Sequence, residues 1–249
     1  MQALRCEALE KTFGGTRALA SVNLEFPTSG ITAVIGPNGA GKTTLINILT
    51  GFIRPDSGRC FLGKRELTRM APHRIARLGL ARTFQDLRLI HQISVLDNVM
   101  LACPNQRGER LFYSLFRFGV RSEEARNRDE ALRLLGFIGL EGKAKELGEE
   151  LSYGEQKLVT LACCLATEAT ILVLDEPVSG AHPEMARHIL ELLLKLPDEG
   201  KSVIFIEHDI SAVRQIADTV IVMDEGKVIA QGVPSEVLER PEIMEAYLA

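Results

Sequence analysis

One octapeptide limits the fold of this chain more than any other stretch. Gly36-Pro37-Asn38-Gly39-Ala40-Gly41-Lys42-Thr43 directly follows the apolar run Ile31–Ile35 and leads straight into a helix-like run, Lys42–Leu49. It fits the pattern GxxxxGK[ST], with the strand before and the helix after that give the pattern physical meaning. Glycine at 36, 39 and 41 permits backbone conformations and close approaches that a Cβ would block. Successive N–H groups then turn inward as an anion nest, reinforced by the positive end of the following helix. In that frame Lys42 reaches the β- and γ-phosphates of a nucleotide and the Thr43 hydroxyl completes a Mg2+ shell. The competing reading is a glycine-rich turn that only closes a strand–helix unit.

A second run carries acids. Ile171-Leu172-Val173-Leu174 reads as a buried strand and ends on Asp175-Glu176. Asp175 falls where a parallel strand opens onto the ligand-binding edge of its sheet. A carboxylate there holds Mg2+ through water, and Glu176, one residue on, is placed to polarise an attacking water. Alone, Asp-Glu-Pro after a strand is an ordinary solvated turn; beside a phosphate loop it reads as hydrolytic.

Composition narrows the partners. The chain has 249 residues, 46% hydrophobic and 25% charged, and 29 Lys and Arg against 33 Asp and Glu leave a net charge of −4. That balance suits a soluble domain with a sizeable core and offers no overall attraction for nucleic acid. No apolar run approaches the ~18 residues of a membrane-spanning helix, and Met1–Glu7 lacks the pattern of a secretory signal. The cysteines (Cys6, Cys60, Cys103, Cys163, Cys164) are odd in number and without a CxxC pair. Neither a disulfide framework nor a zinc site is expected, and a reducing cytosol fits. Cys163 and Cys164 read as small buried hydrophobes on a helix.

Short apolar or alternating runs predict strands at Leu4–Glu10, Leu19–Phe26, Ile31–Ile35, Arg59–Leu62, Leu80–Phe84, Ile171–Leu174, Ser202–Ile206, Thr219–Met223 and Val228–Gln231. Helical patterns fall at Lys42–Leu49, Val95–Ala102, Ser122–Phe137, Tyr153–Ala166, Pro183–Leu196, Asp209–Ala217 and Pro241–Leu248. The late alternation of strand and helix marks βαβ units and a parallel sheet, hence one α/β domain with inserted subdomains.

With both motifs placed, the chain resembles an ATP-binding-cassette (ABC) ATPase along essentially its whole length. Leu151-Ser152-Tyr153-Gly154-Glu155-Gln156 is similar to the signature of that family, usually LSGGQ, and stands before Asp175-Glu176 where the family places it. The resemblance implies a P-loop NTPase (RecA-like) core with a mostly parallel sheet, an N-terminal antiparallel β subdomain and an inserted helical subdomain. Residues 1–86 and 161–249 would form the core with its β subdomain, and 87–160 the helical part. It implies two ATP-Mg sandwiched between two such chains, with Ser152 and Gly154 of one closing over ATP held by 36–43 and Thr44 of the other. Ser152 and Glu155 also fit a capping box that needs no ligand.

Other positions carry roles by resemblance alone. Gln85 matches the Q-loop glutamine that touches Mg2+ or its water, and His208 the switch histidine that contacts the γ-phosphate. Phe13 falls where an aromatic stacks on adenine, although it also reads as a buried strand residue. Ser179-Gly180-Ala181-His182 stands at the D-loop, usually SALD. Tyr153 and Glu155 depart from the usual Gly and Gln of the signature, and Glu155 brings negative charge towards phosphate.

Within the family the chain is most similar to ATPases of branched-chain amino-acid importers and their urea and amide relatives. Ala81–Leu89, Ser94–Val99 and Glu245-Ala246-Tyr247-Leu248 carry that likeness; ATPases of lipopolysaccharide export look similar. The resemblance implies a second ATPase subunit, transmembrane permease subunits, an extracytoplasmic solute-binding protein, and residence at the cytoplasmic face of the cell membrane. Leu111–Phe118, rich in aromatics and flanked by arginines, reads either as a docking surface or as a packed helix face. A nucleic-acid-associated or cofactor-assembly ATPase is the alternative from another class.

Overall fold

The computed structural model describes residues 2–83, 89–104, 120–241 and 243, and only the backbone of 120 and 121. Gln85, the stretch 111–118 and the ending 245–248 lie outside the described residues. Strands β1 (Leu4–Phe13), β2 (Thr16–Phe26), β4 (Ser57–Leu62) and β5 (Arg65–Glu66) form an antiparallel sheet in the order β2-β1-β4-β5. A second sheet runs β10-β9-β3-β8-β7-β6. Its strands are β3 (Gly30–Ile35), β6 (Leu80–Arg82), β7 (Ile171–Asp175), β8 (Ser202–Ile206), β9 (Thr219–Asp224) and β10 (Lys227–Gly232). All its pairings are parallel except β9 with β10, which form an antiparallel edge. The α/β architecture with an antiparallel N-terminal sheet is as the sequence leads one to expect.

The continuous apolar runs follow from burial of both faces of the parallel sheet. Ile31, Ala33 and Ile35 of β3, Leu172 and Leu174 of β7, and Val203 and Phe205 of β8 enter one core. Val34, Val173, Ile204 and Ile206 enter the other, with the antiparallel sheet and helix α1 (Lys42–Leu49). The first core is roofed by α3 (Val95–Leu101), α4 (Val120–Phe137), α5 (Tyr153–Ala166), α6 (Pro183–Lys195) and α7 (Ile210–Ile216). Short α2 (Pro72–Ala76), α8 (Pro234–Val237) and β5 have no counterpart in the sequence pattern, being shorter than one readable period. The helix expected at Pro241–Leu248 lies largely outside the described residues. No described helix is long and apolar enough to cross a membrane.

Register places the chemistry. Val34 of β3 and Asp175 of β7 both pair with Ile206 of the strand between them. The three residues form one row, so Val34 and Asp175 stand about 10 Å apart across two strand spacings. Gly36, Glu176 and His208 each follow within two residues of that row. A single sheet edge therefore receives the glycine loop, both acids and the histidine.

Burial also explains the cysteine pair. Cys164 is buried and Cys163 nearly so, and desolvation pushes both thiols to about 12. Cys164 packs as an apolar side chain, whereas the Cys163 thiol also donates to the Asn98 carbonyl at 3.4 Å.

Candidate functional site: a phosphate loop facing two carboxylates

The loop leaves β3 at Gly36, whose φ is +151° and where an added Cβ would lie 2.0 Å from the Met223 carbonyl oxygen. At Gly41 (φ +96°), the N-cap of α1, a Cβ would lie 2.4 Å from the Ala18 carbonyl oxygen. Neither position admits another residue, because in both the obstacle is backbone. Pro37, Asn38 and Gly39 form the outer arc, Ala40 is buried beneath it, Thr43 is exposed and Thr44 half-buried at the head of α1. Lys42 is buried and folds over the loop, donating from Nζ to the carbonyl oxygens of Gly36 (2.7 Å) and Pro37 (2.9 Å). Burial lowers the Lys42 pKa, while Glu176 and Asp175 pull it back up. Both acids therefore act electrostatically on the loop lysine.

Asp175 is buried at the end of β7, its N–H donating to the Thr83 hydroxyl and its Oδ2 accepting from Arg82 at 2.9 Å. Arg82 also donates to Asn47 and Thr50 of the loop helix and its end. Glu176 is a left-handed residue (φ +48°) whose N–H donates to the Ile206 carbonyl at 3.0 Å. The non-glycine residue in that region marks a turn held by its surroundings. Lys157 of α5 supplies one hold, donating to the Glu176 carbonyl. His208 supplies another contact, with Nε2 3.3 Å from Glu176 Oε1. Among the described residues no group of three or more His, Cys, Asp or Glu could hold a metal ion. One carboxylate and a threonine hydroxyl fit a Mg2+ that keeps its waters and leans on substrate phosphates.

Glu207, between β8 and His208, is buried and accepts from the Val178 N–H at 3.1 Å and the His208 N–H at 3.0 Å. It ties the segment after Glu176 to the one carrying His208. Burial raises its pKa against the pull of those N–H groups. Arg82, Lys157 and Glu207 were not singled out as site residues by sequence reasoning. The readable signals were a charge inside the apolar run Leu80–Phe84 and an acid directly after Ser202–Ile206; Lys157 gave none.

Phe13 ends β1 half-exposed, with the Lys11 ammonium 5.2 Å from its ring centre. The alternative of a buried strand residue is thereby set aside. Ser152 caps α5 in the expected capping box: its hydroxyl accepts from the Glu155 N–H, and Glu155 Oε2 accepts from the Ser152 N–H at 2.9 Å. Gly154 backs onto α6, where a Cβ would lie 2.5 Å from Met185 Cγ. Gln85 lies outside the described residues.

Residues 19–179 match the family described as ABC transporter. A probable branched-chain amino acid transport ATP-binding protein, LivG, of Archaeoglobus fulgidus is 37% identical, covering 100% of this chain and 96% of the relative. The high-affinity branched-chain amino acid transport ATP-binding protein LivG of Escherichia coli K12 is 36% identical, covering 98% of this chain and 97% of the relative. Among solved structures, a cassette of an ABC transporter in its ADP conformation superposes with a TM-score of 0.87 at 34% identity, over 100% of this chain and 99% of that one. A nucleotide-free ATP-binding cassette from an ABC transporter gives 0.86 at 33%, over 100% of each. A loop built for phosphates, a carboxylate pair on the same sheet edge and whole-length likeness to such cassettes agree on one assignment. The chain belongs to the ABC transporter family, as an ATP-binding, ATP-hydrolysing cassette.

Proposed function

We propose that this cassette closes with a second copy, or a homologous chain, around two ATP-Mg and powers a permease importing branched-chain amino acids or related amides. The names of its relatives support the branched-chain amino acids; amides and urea are the related small solutes that the reading also allows. In this reading an extracytoplasmic binding protein delivers the solute and the cassette sits at the cytoplasmic face of the membrane, held by the permease.

The observation that carries the hydrolytic assignment is the Glu176–His208 contact at 3.3 Å, made at the ends of β7 and β8, the next two strands along the sheet from the one that carries the phosphate loop. Backbone N–H groups of residues 38–43 cradle the phosphates, and Lys42 exchanges its two loop carbonyls for phosphate oxygens. Thr43 and Asp175, with Gln85, would hold Mg2+, which neutralises charge on the β- and γ-phosphates when bound. Glu176 orients the water and takes up its proton, while His208 fixes the Glu176 carboxylate and meets the γ-phosphate. Thr44 adds a contact at the head of α1, Phe13 stacks on adenine, and Ser152 and Gly154 close over the partner's nucleotide.

Glu176→Gln tests this directly. The variant keeps the size and the backbone turn but cannot accept a proton. It should bind ATP, lose steady-state turnover by about a hundredfold or more, and accumulate as a closed dimer in ATP on size exclusion. Unchanged turnover would remove Glu176 from the assignment.

A further inference from the structure

The signature carries an acid where the family usually has an amide, and the structure shows what becomes of its charge. Glu155 uses both oxygens: Oε2 accepts from the Ser152 N–H (2.9 Å) and hydroxyl (2.8 Å), and Oε1 meets Lys143 Nζ at 2.9 Å. Lys143 comes from a separate short 3-10 turn, Glu141–Lys143, and also lies 3.4 Å from Glu146. Three groups thus fix a side chain of which only 16% is exposed, although Lys143 itself is 37% exposed.

We propose that Lys143 is a positioning residue for ATP-driven closure: it neutralises Glu155 and holds it on the Ser152 backbone, so that an acidic signature accepts the partner's γ-phosphate. The inference rests on the reading that Ser152 and Gly154 close over that phosphate. Two physical effects support it. An uncompensated carboxylate at a phosphate-binding helix start repels the phosphate and cancels part of the positive potential that the helix offers it. The Ser152 hydroxyl must also turn from Glu155 to donate to phosphate, and Lys143 on Oε1 keeps Glu155 anchored by the N–H bond while it does so. Burial pushes the Glu155 carboxyl up, but the bonds from Lys143 and Ser152 outweigh it and hold it below its ordinary value. The acid is therefore charged at neutral pH and needs its cation. An amide at this position needs none.

A four-variant cycle decides it: wild type, Lys143→Gln, Glu155→Gln and the double variant, with ATP turnover measured against ATP concentration. Lys143→Gln should raise KM for ATP about tenfold, the size of one uncompensated charge near a surface. In the Glu155→Gln background the same change at 143 should do nothing measurable, and Lys143→Arg should restore wild-type KM. The position is exposed enough for all four proteins to fold, which matching thermal melts check. An equal cost of Lys143→Gln in both backgrounds, or none in the wild type, overturns the inference. Ser152→Ala is run alongside. If it leaves turnover intact, the closure reading itself fails; if it disables turnover while Lys143→Gln does not, only the role of Lys143 fails.

Discussion

Arg82 offers the sharpest quantitative test of how the site is held together. It stands at the end of β6, and its guanidinium spans two elements: one nitrogen meets Asp175 Oδ2 at 2.9 Å, the other donates to Asn47 and Thr50. Both side chains of the ion pair are only 6% exposed. Arg82→Leu removes the cation and leaves the Asp175 carboxylate buried without its partner. Breaking a buried pair in this way costs about 3–5 kcal/mol, mostly the stranded charge. For a domain of this size each kcal/mol shifts the melting temperature by roughly 2–4 °C, so a loss of about 6–20 °C is expected. The measurement is thermal unfolding by circular dichroism without nucleotide, since bound ATP would add stability by mass action. Adding Asp175→Asn to Arg82→Leu removes the stranded charge and should return at least about half of the loss. Arg82→Lys should fall between, because an ammonium cannot serve Asp175 and Asn47 with the geometry of a fork. If Arg82→Leu melts within about 2 °C of wild type, roughly the low end of the shift for one kcal/mol, the pair is not a structural tie. If Asp175→Asn recovers nothing, the cost lies elsewhere than in the stranded carboxylate.

Two further outcomes follow from neighbouring contacts. Lys157→Met keeps an apolar side chain of similar length but loses the ammonium beside the Tyr153 ring and its bond to the Glu176 carbonyl, one of the holds on its left-handed turn; kcat should fall about tenfold with little change in KM, and a rise in KM at constant kcat would contradict the reasoning. Glu207 sets a pH dependence: burial raises its folded pKa above the ordinary 4.5, so the folded chain keeps a proton that the unfolded chain releases. Between those two pKa values stability falls as pH rises, and below both the penalty is absent. The stability of wild type relative to Glu207→Gln should therefore decline with rising pH from about 4.5 upward, by urea unfolding at several pH values, and a difference independent of pH would sink the claim.

What was legible in the sequence is what local backbone chemistry dictates. The glycine loop, helix Lys42–Leu49 and helix Tyr153–Ala166 stand where the pattern put them, because strand, nest, cap and helix are consecutive in the chain. The runs at Ile171–Leu174 and Ser202–Ile206 were readable because a doubly covered strand needs apolar residues on both faces. Beyond Glu10, β1 was not legible, since it continues to Phe13 through shifts of register that break the alternation. Arg82 with Asp175 and Lys143 with Glu155 were illegible for a different reason. A charge partner is chosen by tertiary packing, and nothing in spacing along the chain announces it.

Two of the departures from the family pattern show the same thing from the other side. Read along the chain, Tyr153 in the signature and Gly180 in the D-loop are separate oddities, one too large and the other too small. In the folded chain they touch: a Cβ on Gly180 would lie 3.1 Å from Tyr153 Cε1, and Gly180 has φ +71°. A contact that short lies inside ordinary carbon–carbon separation, so a side chain at 180 would push the ring by a few tenths of an ångström. The Lys157 ammonium, which bonds the Glu176 carbonyl, also lies 5.4 Å from the centre of that ring. Moving Tyr153 therefore reaches the lysine that holds the Glu176 turn. The larger residue and the missing Cβ thus meet where the start of α5 abuts the segment that follows Glu176.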